Sequence, residues 1–369
     1  MCWDVICIGG GPAGTLAANL LANQGFRVLV VEKNPIIGWP VRCAGLITKR
    51  VLDMADIGED VVQNEISGAR IHAPNDTTIY LGGNKIHALV VDRESFDQKL
   101  AEKAENAGAT IQCKCKVIDI LKRDDEVVVI GTERIKGRYV IGADGARSII
   151  ARCLNVSPPK KYVHTLQTIG PAPSDSDTVD IYIGSDVAPG FFAWIIPVNE
   201  EAKIGLGVAA EYNVRQYFDV FLKRMNIKSK RATGGIIPLG LRTPLQQGNI
   251  ALVGDAAGQV KPTSGGGLYP GLTGACMLAK SLSDALEGKK PFNYEPLYLK
   301  KMGSELRRGM FMHNRFSRMG DTKMNQIFAA ADDAIIKTIN TYGDIDRPDI
   351  VGMAILKRHP YLLRFLLPF

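Results

Sequence analysis

Apolar residues fill positions 3–8 (WDVICI), broken only by Asp4, and that run predicts a buried strand. Glycines follow at once. The next stretch predicts a helix from about Pro12 to Gln24, with proline in its first turn and Gly25 just past its end. A second apolar run, RVLVVE, ends at Glu32 and completes a strand–helix–strand unit. Further on, LVVD after Ala88 predicts a strand, and Arg93–Ala107 a helix stopped by Gly108. Strands are then expected at Thr110–Ile120, Glu126–Ile130 and Arg138–Gly142. From Val163 to about Ala210 the period falls to two, in DTVDIYIG and AKIGLGVAA with FFAWIIPV between them, which predicts an antiparallel sheet. GNIALVGDAAG returns to strand and turn, and a helix runs from about Gly267 to Leu286. The remaining residues read as helical, with Gly and Pro interruptions.

Composition narrows the class. With 46% apolar and 22% charged residues among 369, the chain is an ordinary globular one, and its 38 glycines sit in short clusters beside apolar runs. The first strand begins at Trp3, so no leader is expected, and no apolar run reaches the ~18 residues of a spanning helix. The seven cysteines lack framework spacing, which points to a reducing, cytoplasmic compartment. Cys113 and Cys115 would alternate onto one strand face as packing, and no metal site is expected. The net charge of +7 is partly local: Lys300, Lys301, Arg307, Arg308, Arg315 and Arg318 face a single acid, Glu305. That segment is either a solvated helix face or a surface drawn to anionic membrane or phosphate. No nucleic-acid motif accompanies it, so nucleic acid is not an expected partner.

Three segments carry chemistry. Gly9-Gly10-Gly11-Pro12-Ala13-Gly14 opens a helix directly after a strand. Gly9 permits the tight turn, Gly11 the approach of a diphosphate, and Gly14 close helix–strand packing. The helix N-terminus receives the phosphate charge, and Glu32 suits both hydroxyls of an unphosphorylated ribose. Val140–Ser148 runs from a strand into an Asp144-Gly145 turn, and Ala251–Gly258 ends a later strand in Gly254-Asp255. Three strand ends separated this way suit a long dinucleotide. Asp255 would meet ribityl hydroxyls, which FAD has and NAD lacks. Lys261–Gly267 then gives a glycine loop able to admit a flat ring at a helix N-terminus. The fold class expected is α/β: a discontinuous Rossmann-type FAD-binding domain (1–160 and 235–288), an inserted antiparallel-sheet substrate domain (161–234) and a helical C-terminal region (289–369).

Together with Asp92-Arg93 at a helix start, these motifs resemble the FAD-dependent hydroxylase-type flavoproteins. Phe192-Ala193-Trp194-Ile195-Ile196-Pro197, followed by Gly205-Leu206-Gly207, resembles more narrowly the geranylgeranyl reductase family. So does Gly38–Gly45, which is similar to that family's Pro-x-Arg-Cys loop beside the flavin. Departures are Phe192 for a frequent Tyr, Ile196 for Phe and Lys261 for Asn. The resemblance implies reduction of isoprenoid double bonds in ether-lipid precursors. It implies a cofactor set of Gly9, Gly11, Ala13, Gly14, Glu32, Lys33, Arg42, Cys43, Ala44, Gly45, Arg93, Val117, Asp144, Asp255, Gly266, Gly267 and Leu268. The implied substrate set is Phe192, Trp194, Ile196, Pro197, Gly205, Gly207 and Tyr269. Cys43 is the candidate proton donor or a packed thiol, with Tyr269 or water as substitutes, and Arg42 is expected to favour its thiolate.

The consecutive bulky residues 191–196 are either plain core or the wall of an apolar tunnel. The expected partners are an isoprenoid lipid, an external electron donor (ferredoxin, reduced deazaflavin or NADPH) and, peripherally, the inner face of a membrane. The apolar tail Tyr361–Phe369 either docks on the protein or rests in that interface. Two rivals remain on the same fold, a flavin monooxygenase and an electron-relay flavoprotein.

Overall fold

The computed structural model describes residues 2–83, 85–123, 126–228 and 231–365 of the chain. Residues 366–369 of the apolar tail lie outside the described residues, as do the side chains of 363–365. One sheet carries parallel strands in the order Ile250–Leu252, Arg134–Gly142, Cys2–Ile8, Val28–Val31 and Thr110–Gln112. Gln246–Gln247 extends it antiparallel at one edge, and Val127–Ile130 and Asp119–Lys122 fold back on Arg134–Gly142. The central strands are buried on both sides, as parallel strands covered by helices must be. Pro12–Ala22, Arg93–Asn106 and Leu268–Leu286 supply that cover.

The second sheet runs Thr233–Leu239, Lys161–Pro171, Glu201–Ala209, Ala193–Val198, Thr178–Tyr182, Gly68–His72, Thr78–Gly82. It is antiparallel except where Thr178–Tyr182 meets Gly68–His72. Its strands come from both sides of residues 161–234: the 68–82 hairpin and the Thr233–Leu239 strand complete it. Directly paired residues share a face, so register sorts this sheet into two jobs. Ala202, Ile204, Leu206 and Val208 pack on Phe218, Phe221 and Leu222 of the helix Val214–Arg224. The opposite face carries Lys203, Gly205 and Gly207, with Trp194 and Ile196 paired beside them. That face looks toward the first domain.

A small third sheet, Leu46–Ile47, Ala88–Val91 and Val62–Ile66, bridges the two. The C-terminal region is helical as expected, with helices at Ser304–Phe316, Asp321–Ala329, Asp333–Tyr342 and Pro348–Arg358.

One expected strand is interrupted. Thr110–Gln112 ends early, and strand resumes only at Asp119. Lys114 adopts φ +59 between them, turning the chain so that the Cys115 amide donates to the Glu32 carbonyl (2.8 Å). Cys115 is therefore buried and Cys113 only partly so, rather than sharing a face.

Candidate active site

The glycine turn is shaped by its neighbours. Gly9 has φ +108, and a Cβ there would strike the Ala143 carbonyl at the end of the adjacent parallel strand. Gly14 packs equally hard on the Gly9 carbonyl. At Gly11 the surroundings are open, with no atom within 4 Å of a would-be Cβ. The Glu32 carboxylate accepts from the Gly10 and Asn34 amides, both at 2.8 Å, so each oxygen keeps a lone pair for a ribose. Asp144 has its carboxylate taken up by Ser148 Oγ (2.6 Å) and the Ile149 amide (2.6 Å). It therefore meets the Gly9 turn through backbone. Lys33 is exposed, Val117 is buried in the main core, and Leu268 packs against it.

Asp255 lies among protein atoms yet keeps part of its surface accessible, as a group lining a cleft does. Burial pushes its carboxyl up to about 6, against the pull of Arg93. A Cβ at Gly267 would come 2.9 Å from Asp255 Oδ1, and one at Gly254 would come 3.1 Å from Ala13 Cβ. The first glycine turn, Asp255 and the 261–267 loop thus converge. Lys261 reaches back over Gly266 and forms a buried ion pair with Asp346 (2.7 Å).

The 42–45 loop closes the other side. The Cys43 carbonyl accepts from Gln167 Nε2 (3.3 Å), Cys43 Sγ accepts from the Gly45 amide (3.4 Å), and Ala44 packs with the Trp194 cluster. Arg42 is exposed, and its carbonyl lies 3.3 Å from a would-be Cβ at Gly235. Two buried cations, Arg93 and Lys203, have Cys43 among the groups that favour their charge. Burial opposes the charge of Arg93, but Asp97 (2.9 and 3.2 Å) and Cys43 hold its guanidinium above its usual range. Lys203, which no sequence motif singles out, is buried, and that burial holds its ammonium below the usual range. Its one signal is parity: it alternates with Gly205 and Gly207.

Those glycines make room for the aromatic strip. A Cβ at Gly205 would meet Trp194 at 2.7 Å, and one at Gly207 would meet Phe191 at 2.7 Å. Phe191 stacks on Phe192 with centroids 4.2 Å apart, and Phe192 meets Trp194 edge-on at 6.0 Å. A Cβ at Gly265 of the glycine loop would likewise come 3.0 Å from Phe191, which joins strip to loop.

Two expected members lie off the aromatic strip. Pro197 alternates onto the other face with Ala202. Tyr269 lies under Arg50 (5.4 Å), among Glu305, Arg347 and Asp346. Burial, then Glu305, raises its phenol.

The residues present fit FAD. Arg93 Nε, Thr263 Oγ1, Ser264 Oγ, Trp194 Nε1 and Gln167 Oε1 are buried without partners, polar atoms that a native fold satisfies with something. Thr263 and Ser264 belong to the loop where the ring is expected, and Arg93 opens the helix Arg93–Asn106. The fold and this cleft define an FAD-dependent flavoprotein, and the chain belongs to the FAD binding domain family, whose model it matches over residues 3–217.

Within that class its relatives are narrower. It is 27% identical to digeranylgeranylglycerophospholipid reductase of Thermoplasma volcanium over 99% of this chain and 98% of that one. The reductase of the same name from Methanosarcina acetivorans is 29% identical, over 88% and 87% of the two chains. A geranylgeranyl bacteriochlorophyll reductase-like protein from Thermoplasma acidophilum superimposes with TM-score 0.83 at 26% identity, over 99% of each chain. An aklavinone-11 hydroxylase, solved with FAD and aklavinone, shares the fold at 17% identity and TM-score 0.70, over 88% of this chain and 70% of that one.

Proposed function

We propose that this protein saturates double bonds of geranylgeranyl chains in membrane ether-lipid precursors. The observation carrying this reading is the Phe192–Trp194 strip, floored by Gly205 and Gly207 and joined through Phe191 to the glycine loop. An apolar aromatic strip suits an extended prenyl chain and offers little to a polar substrate. The relatives named as digeranylgeranylglycerophospholipid reductases, matched over nearly their full length, support the same chemistry.

Gly9, Gly11, Gly14 and the helix behind them would hold the diphosphate, Glu32 the ribose, and Asp255 the ribityl chain. Ala13, Arg93, Gly266 and Gly267 would border the rest. Bound FAD supplies hydride. The protein's own task is to hold the alkene flat, exclude water and deliver a proton to the neighbouring carbon. Cys43, on the loop packed against the strip, would deliver it. An external electron donor (ferredoxin, reduced deazaflavin or NADPH) would restore the flavin, and the lipid would be met at a membrane surface. Among the described residues no helix is long and apolar enough to cross a membrane.

The test is anaerobic incubation of the prereduced, FAD-loaded protein with a geranylgeranyl ether lipid, followed by mass spectrometry. The expected product gains two hydrogens per reduced double bond. Unchanged lipid with electrons passing to a quinone would make the protein a relay. A product gaining oxygen, once air is admitted, would make it a monooxygenase.

A further inference from the structure

We propose that Lys203 is a positioning residue for Cys43, its ammonium stabilising the thiolate left when Cys43 gives up a proton. The proposal rests on the reading above, in which that thiol protonates the substrate.

Lys203 sits in the strand Glu201–Ala209, paired with Ile196 and Ile169 on the face that looks toward the 42–45 loop. It is 9% exposed. Its Nζ donates to the Val91 carbonyl (3.2 Å) and to Gln63 Oε1 (3.4 Å), both neutral. A Cβ at Gly45 would lie 3.2 Å from that Nζ and 3.4 Å from Arg93 Cγ. Among the described residues no carboxylate comes within ion-pair distance of it. A buried ammonium without a counter-ion is costly, and such groups persist where a neighbour can develop negative charge.

The titratable groups close enough to act on the Lys203 charge are Cys43, Asp92 and Arg93. Asp92 is engaged as the cap of Arg93–Asn106, accepting from the Glu94 and Ser95 amides. Arg93 is a like charge with its own counter-ion, Asp97, and it also faces Asp255. That leaves Cys43 as the group whose ionised form Lys203 can favour.

The proton step balances simply. The S–H bond of Cys43 breaks, and its proton bonds to the carbon bearing the electron pair once hydride has added next door. The S–H electrons stay on sulfur, between Arg93 and Lys203, until solvent returns a proton.

The test reads the thiol and needs no lipid. Iodoacetamide alkylation of the Cys43 peptide is followed against pH by mass spectrometry, in flavin-free and FAD-loaded full-length protein, with Cys153 as internal control. Only the thiolate reacts. Lys203→Met should slow Cys43 alkylation about tenfold at neutral pH, because removing a nearby cation disfavours the thiolate. Lys203→Arg should restore the parental profile, and Cys153 should not change. Lys203→Gln removes the charge but keeps a donor for Val91, and it serves if the methionine variant fails to fold. An unchanged Cys43 profile in either folded neutral variant overturns the proposal while leaving the lipid chemistry to stand on its own test.

Discussion

Asp255 carries a cost that follows from its site. Its carboxyl ionises near 3.8 when unfolded and at about 6 when buried in the fold. Between those values the unfolded chain has released a proton that the native state still binds, so stability falls as pH rises through the window. Above about pH 6 the whole cost is present, and below about pH 4 there is none. Flavin-free Asp255→Asn protein should therefore exceed the parent in stability by on the order of 2–3 kcal/mol at pH 8, and by nothing below about pH 4. FAD affinity should move the other way, through loss of a charge-assisted bond. Calorimetry at the two pH values checks it, and an equal gain at both would remove the titration argument. Asp255, Glu32 and Gly9 were legible in sequence because their demands are local: a strand end, a tight turn, a carboxylate after an apolar run. Lys203 was not. In AKIGLGVAA it looks like an ordinary polar step, and only strand register shows which loop it faces. Nor was the approach of Arg93 to Cys43, because Arg93 comes from a helix start some fifty residues further along the chain.

Elements joined by local periodicity were read well, and elements joined only by pairing were not. The strand Thr110–Ile120 has continuous strand-forming residues, yet the chain leaves the sheet at Gln112 to close over Glu32. The hairpin 68–82 joins the second sheet beside Thr178–Tyr182, a partner over a hundred residues away that no local pattern announces. A similar distance in sequence separates the glycine loop from its clip. Lys261 Nζ donates to Asp346 Oδ1 (2.7 Å) and to the Ile345 carbonyl (3.0 Å). Asp346 also accepts from Thr48 Oγ1 (2.5 Å) and Arg50 (3.1 Å). One buried carboxylate thus ties the loop and the helix Lys49–Ala55 to the C-terminal helices. Removing one partner of a buried pair typically costs about 3–5 kcal/mol, and the low end applies here because Thr48 and Arg50 remain. Lys261→Met should speed hydrogen exchange in Pro262–Gly267 and in residues 333–358 far more than in Cys2–Ile8. A uniform rise across the chain would show that the clip is not local.

At the scale of the whole molecule, the excess positive charge is not spread evenly. Lys300, Ser304, Arg307, Phe311 and Arg315 follow helical spacing through Leu299–Gly303 and Ser304–Phe316 as one stripe, and Arg318 follows just past the helix end. Lys300, Arg307, Phe311 and Arg318 are exposed, and Arg315 lies over the Phe311 ring at 5.4 Å. The single acid in the run, Glu305, points the other way: it is buried and paired with Arg347 at 2.9 Å. Sequence alone left this segment as either a solvated face or a membrane-seeking one, because it could not show which way Glu305 turned. With the acid removed from the surface, the stripe presents basic side chains around one exposed aromatic ring, a composition that would suit an anionic bilayer. Each basic group near such a surface contributes about 1 kcal/mol. The chain should therefore sediment with vesicles containing anionic lipid and not with neutral ones, and binding should weaken as salt rises past a Debye length shorter than the stripe. Reversing Lys300, Lys301 and Arg307 to Glu should lower vesicle affinity by two or more orders of magnitude. Anaerobic turnover of detergent-dispersed prenyl lipid should stay at the parental rate, since none of the three belongs to the cleft. Equal sedimentation with neutral vesicles, or no loss on charge reversal, would return the stripe to the role of a solvated helix face.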